Sequence, residues 1–166
     1  MQQLLGVVVG GLLTLLGAIL NSRIQEERLS KREARSLARA FRGEILALRE
    51  IVQRRKYSEA ISTAIETMRR TGQPYDLRIP IRRGYFAIFN NNVAKLGMLE
   101  GMLPETIATF YVQANSILED ITSINEGLFA GNVPGLMQVY EELGALLSDS
   151  SGLALRIADE VLLLYP

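Results

Sequence analysis

The first 22 residues carry no charge, and seven of the next twenty are basic. The apolar run occupies residues 4–20 (LLGVVVGGLLTLLGAIL), and Arg23, Arg28, Lys31, Arg32, Arg35, Arg39 and Arg42 follow it. As a helix, the uncharged segment is about 33 Å long, against a hydrocarbon core about 30 Å thick. Eleven of residues 4–20 are Leu, Ile or Val, each favouring insertion by about 0.3–0.6 kcal/mol. Gly6, Gly10, Gly11 and Gly17 weaken that gain without reversing it. A cleaved signal peptide needs a basic leading region and a small-x-small cleavage site. Met1-Gln2-Gln3 carries no charged side chain, and Ala18-Ile19-Leu20 is a poor cleavage pattern. The sequence therefore predicts a transmembrane helix over residues 1–22. Basic residues flank only its carboxyl side, which places the N terminus outside and the remainder in the cytoplasm.

Gly6, Gly10, Thr14 and Ala18 recur every four residues. On a helix they lie along one face, where small side chains let two backbones approach closely. Thr14 adds a hydroxyl able to bond across such a contact. No second apolar run of membrane length follows, so this face predicts a partner helix from another copy, hence a homo-oligomer.

The remaining chain is long enough for one domain with its own core. It has no cysteine and no histidine, which removes thiolate nucleophiles, common catalytic triads and the usual transition-metal ligands. No phosphate-binding loop, dinucleotide fingerprint or calcium loop is present. These absences predict a protein that is not an enzyme, with no cofactor and no metal. The net charge of zero hides a division: residues 21–56 carry eleven Lys/Arg against five Asp/Glu, and residues 57–166 carry seven against thirteen. Three parts follow: a membrane helix (1–22), a basic stalk helix (23–56) and an acidic helical bundle packed with the stalk (57–166).

The pattern is helical throughout, so the expected fold class is all-α. Ala34, Ala38, Phe41, Ile45, Leu48 and Val52 alternate spacings of four and three, the mark of one buried stripe. No proline interrupts residues 1–73, so the membrane helix is expected to run straight into the stalk. A second helix is expected over residues 58–71, with Ile61, Ile65 and Met68 inward and Gly72 as its stop. Pro74 and Pro80 mark residues 72–84 as the longest loop, followed by a short helix over residues 85–96. Pro104 suits the first turn of the next helix, whose stripe runs from Leu103 through Ile107, Phe110, Ile117 and Ile124 to Leu128. The last segment looks broken at Ser148-Asp149-Ser150-Ser151-Gly152. Yet Leu136, Tyr140, Leu143, Leu147, Ser150, Ala154, Ile157, Val161 and Leu164 keep one register across it, which predicts a single long helix.

Two basic clusters are candidate sites. Arg28, Arg35, Arg42, Arg49 and Lys56 fall at intervals of seven, sharing one helix face, with Arg32 and Arg39 beside them. A solvated face is the plain reading. The functional one is an anion or lipid site formed by Arg23, Arg28, Arg32, Arg35, Arg39 and Arg42, since anionic headgroups attract basic residues within about 8 Å of the surface. Nucleic acid ranks last among anionic partners, given zero net charge and no recognition motif. The second cluster lies in and beside the long loop: Arg78, Arg82 and Arg83, with Tyr85, a candidate seat for a ligand or for a cytoplasmic protein partner.

Phe41-Arg42-Gly43-Glu44-Ile45 with Ala47-Leu48, then Tyr85-Phe86 with Ile88-Phe89, Asn92 and Lys95-Leu96-Gly97-Met98-Leu99, then Phe110-Tyr111 and Leu118-Glu119-Asp120, form a further pattern. Over residues 35–125 it resembles a family of small, uncharacterised bacterial membrane-anchored helical proteins. That resemblance implies a bacterial inner-membrane setting and no particular activity. The expectation is thus a non-enzymatic single-span protein forming a homo-oligomeric, channel-like or membrane-effector assembly controlled by its cytoplasmic bundle. The alternative is a membrane-tethered adaptor that recruits a cytoplasmic partner.

Overall fold

A computed structural model describes the backbone of residues 2–81 and 84–166, and the side chains of residues 21–81 and 84–166. The chain is all-helical: α1 (Gln2–Arg54), α2 (Tyr57–Thr71), α3 (Ala87–Asn92), α4 (Leu103–Asn125) and α5 (Val133–Leu164), with a 3₁₀ segment (Val93–Met98) after α3. No strand occurs among the described residues. None of the helices they form is long and apolar enough to cross a membrane. The uncharged segment expected to do so falls almost wholly outside the described side chains, as do Gly6, Gly10, Thr14 and Ala18.

The helix α1 is continuous from Gln2 to Arg54, about 80 Å at 1.5 Å per residue. Its residues 21–33 are all exposed, and burial begins at Ala34. From there Ala34, Leu37, Ala38, Phe41 and Ile45 face inward. The chain reverses at Lys56, which adopts a left-handed conformation (φ 55°), and α2 begins at once. Gly72 ends α2, also left-handed (φ 65°), with its N–H donated to the Met68 carbonyl at 2.9 Å. The helix expected over residues 85–96 splits into α3 and the 3₁₀ segment.

Pro104 lies in the first turn of α4, and Pro134 in that of α5, where Asn132 accepts a hydrogen bond from the Gly135 N–H at 3.0 Å. The α4 stripe stops short of its expected end: Ile121 is buried, Ile124 partly so, and Leu128 lies exposed beyond the helix, past the turn at Gly127. By contrast α5 does run unbroken through Ser148 to Gly152. Ser150 is buried there, and its Oγ donates to Gln113 Oε1 at 3.1 Å.

The hub of the bundle is α5, which packs against α1, α2 and α4, while α1 and α4 approach each other little. Two cores result. One joins the buried part of α1, Phe86, the start of α4 and the end of α5, around Phe41, Tyr111 and Ile157. The other joins α2, Ile79, the second half of α4 and the first half of α5, around Met68, Tyr140 and Leu143.

The left-handed Lys56 is the one described non-glycine residue with positive φ, a conformation costing an L-residue about 1–2 kcal/mol. Its ion pair with Glu59 (3.2 Å) is largely exposed and adds little. Lys56→Gly is expected to raise unfolding free energy by about 0.5–1 kcal/mol, after the extra unfolded-state entropy of glycine is subtracted. A rise in the urea midpoint at unchanged slope checks it.

Candidate functional site

Arg39, Arg42 and Arg49 flank the apolar stripe of α1 and turn toward α5. Arg39 donates to the Pro166 carbonyl oxygen at 2.9 Å and, at 3.4 Å, to that of Tyr165. Arg42 Nε donates to the Ala158 carbonyl at 3.2 Å, and Arg49 Nε to Ser151 Oγ at 3.1 Å. Two of the six residues expected to form an anion or lipid site, Arg39 and Arg42, thus hold α1 against α5 instead. Their one-residue offset from Ala38 and Phe41 places them at the edge of the interface, a position that a heptad count alone does not separate from a solvated face. Arg23, Arg28, Arg32 and Arg35 are exposed, and no ion pair involves them among the described residues.

Arg78 pairs with Asp76 at 3.2 Å, and Arg69 reaches across to Glu141 of α5 at 2.5 Å. Tyr85 packs, partly buried, against the first core. Arg82 and Arg83 lie outside the described residues. The loop itself is pinned from below: Tyr140 Oη donates to the Tyr75 carbonyl at 3.2 Å, Asn125 Nδ2 to the Ile79 carbonyl at 2.9 Å, and Ile79 is buried.

Sequence reasoning missed the role of Glu44. This α1 carboxylate accepts hydrogen bonds from the Ile88 N–H (2.7 Å), the Phe89 N–H (3.1 Å) and the Tyr111 hydroxyl. Phe86, at the N-cap of α3, supplies no side-chain cap, so a glutamate from another helix satisfies the donors that the first turn leaves open. Around it Tyr111 stacks on Phe89 (3.9 Å between centroids) and meets Phe86 and Phe110 edge-on at 5.4 and 5.3 Å. Phe41, Glu44, Phe86, Phe89, Phe110 and Tyr111, scattered through the motif pattern, are one cluster in space. Burial and then the Glu44 hydrogen bond push the Tyr111 hydroxyl well above its ordinary range. Burial likewise raises Tyr140.

Between the two cores lies a cavity of about 100 Å³. Because α1 and α4 both lean on α5 without closing on each other, a gap opens between them. The Glu44–aromatic wedge fills one end, and Ile79 and Ile81 cover the other. Leu48, Val52, Phe86, Ala114 and Leu147 line the interior; Arg49, Ser150 and Ser151 lie at one edge. The cavity lining is almost wholly apolar and the cavity is partly open to the surface, so water that enters finds few partners. It is the feature here most suited to a small ligand. Among the described residues no group of acidic side chains is arranged to hold a metal ion.

No family model matches the chain, nor does any curated protein or solved structure.

Two outcomes follow. Glu44→Gln, which replaces one acceptor oxygen with an NH2 donor facing the donors of Ile88, Phe89 and Tyr111, should cost about 1.5–3 kcal/mol, the range for hydrogen bonds to a charged group, read as a fall in the urea midpoint. Tyr111 and Tyr140 have folded-state pKa values raised above the unfolded value near 10. The stability they contribute is therefore fully present below about pH 10 and is lost as pH rises beyond it. Tyrosine absorbance titration should show these two of the six tyrosines ionising only as the protein unfolds, and Tyr111→Phe should reduce the alkaline loss of stability.

Proposed function

We propose that the chain is a non-enzymatic, membrane-tethered binding module: residues 1–22 anchor it in a bacterial inner membrane, and the helical bundle recruits a cytoplasmic partner. The observation that carries this reading is the continuity of α1. One helix holds both the uncharged segment and the bundle-forming stretch, with residues 21–33 exposed between them. At about 1.5 Å per residue, that exposed stretch holds the bundle about 20 Å from the end of the anchor. Arg23 and Arg28 lie within reach of anionic headgroups, and Arg32 and Arg35 lie farther along. Exposed Met102, Leu162 and Leu163 sit at the end of the bundle from which α1 emerges and give a partner apolar surface to cover. Pairing through Gly6, Gly10, Thr14 and Ala18 makes the tethered unit a homo-oligomer.

A channel-like assembly is the competing form of the same anchor. Its apolar run, residues 4–20, would offer only Thr14 as a polar side chain, so its pore would be hydrophobic and gated by dewetting.

The full chain is expected to stay with membranes through an alkaline carbonate wash, and Leu12→Arg/Leu15→Arg to release it still helical. A native chain found in the soluble fraction would sink the proposal. In lipid nanodiscs, two copies per particle agree with a paired, tethered module, and one copy would remove the pairing. A ring of four or more that collapses in Gly10→Ile, together with single-channel conductance, would replace it with the channel.

A further inference from the structure

The geometry points to the cavity between α1 and α4 as a binding site for a short- to medium-chain carboxylic acid, its tail among the apolar side chains and its carboxylate on Arg49. The interior supplies the first half of the argument. Leu48, Val52, Phe86, Ala114 and Leu147 line about 100 Å³ of space, partly open to the surface, beside a core that is otherwise close-packed. Taking roughly 30 Å³ for a water-sized group, the space holds about three or four methylene-sized groups. That is the terminal half of a medium-length chain such as octanoate, whose carboxyl half would extend through the open side, and not a ring system or a long acyl tail. The lining is almost wholly apolar, and the buried Ser150 hydroxyl is already committed to Gln113, so hydrocarbon suits the inserted part.

Arg49 supplies the second half. Its side chain is half-buried at the edge of the cavity, and Nε is committed to Ser151 Oγ at 3.1 Å. That bond fixes the plane of the guanidinium while leaving its two terminal nitrogens to donate elsewhere. No carboxylate meets them among the described residues. Arg42, one heptad earlier, bonds the Ala158 carbonyl through Nε and does not line the cavity. Arg55, one turn beyond Ile51, is engaged by the Tyr57 hydroxyl at 2.7 Å. A single oriented guanidinium beside an apolar hole matches one carboxylate attached to a hydrocarbon chain. This site depends on the bundle alone and not on whether residues 1–22 cross a membrane.

Titration calorimetry with octanoate and with octan-1-ol, on the full chain in nanodiscs and with empty nanodiscs subtracted, tests it. One saturable octanoate site per chain is expected. Arg49→Met should weaken octanoate at least tenfold and leave octanol within twofold, whereas Arg49→Lys should retain most of the octanoate affinity. Ala114→Leu, which fills the cavity, should weaken both ligands at least tenfold; circular dichroism establishes that each variant is folded, and Leu147→Phe serves as the second cavity-filling variant. Absence of saturable octanoate binding overturns the proposal. So does equal binding by the native chain and Arg49→Met, or octanoate affinity unchanged in a folded cavity-filling variant.

Discussion

Everything in this bundle leans on the unbroken apolar register of α5. From Leu136 to Val161 its inward positions touch α2, α4 and α1 in turn, so one helix supplies a wall to both cores. Burying such side chains is worth about 1.5–3 kcal/mol each, which outweighs the poor helix propensity of Ser148, Asp149, Ser150, Ser151 and Gly152. The polar point this leaves inside is satisfied locally, because Ser150 finds Gln113. With that partner, a buried hydroxyl costs the helix little.

A hub of this kind has a geometric side effect. Helices that share a neighbour need not touch each other, and α1 and α4 do not close along their length. The chain fills the resulting wedge with a short segment too weak to be a helix unaided: six residues of α3, capped by Glu44 and clamped by Tyr111 stacking on its Phe89. Where the wedge ends, the cavity begins. The aromatic cluster and the hollow beside it are thus two answers to one packing problem.

Much of the architecture was legible because it rests on local rules. Gly72 stops α2, Pro104 starts α4, and the four-three spacing carries α5 across its polar stretch, all visible along the chain. The candidate site was far less legible. Arg39 and Arg42 read as members of a solvated stripe because spacing shows which residues share a face, not which face a neighbouring helix will meet. Glu44 gave no signal, since its three donors lie 44 to 67 positions away. The cavity arises from what two helices fail to do, and a sequence has no pattern for an absent contact. Leu128 looked like the end of a stripe because periodicity cannot tell that the helix stops at Asn125.

The exposed stretch of α1 also fixes an angle. From Asn21 to Arg42 there is neither glycine nor proline, and the helix is continuous, so the bundle is geared to whatever the first twenty residues engage. Each residue advances the helix by about 100°. Inserting one residue among positions 21–33 would swing the whole bundle through that angle about the α1 axis while lifting it by only about 1.5 Å. The length of this segment therefore works as a phase setting: it decides which side of the bundle points toward a neighbouring copy and which is left open to a partner.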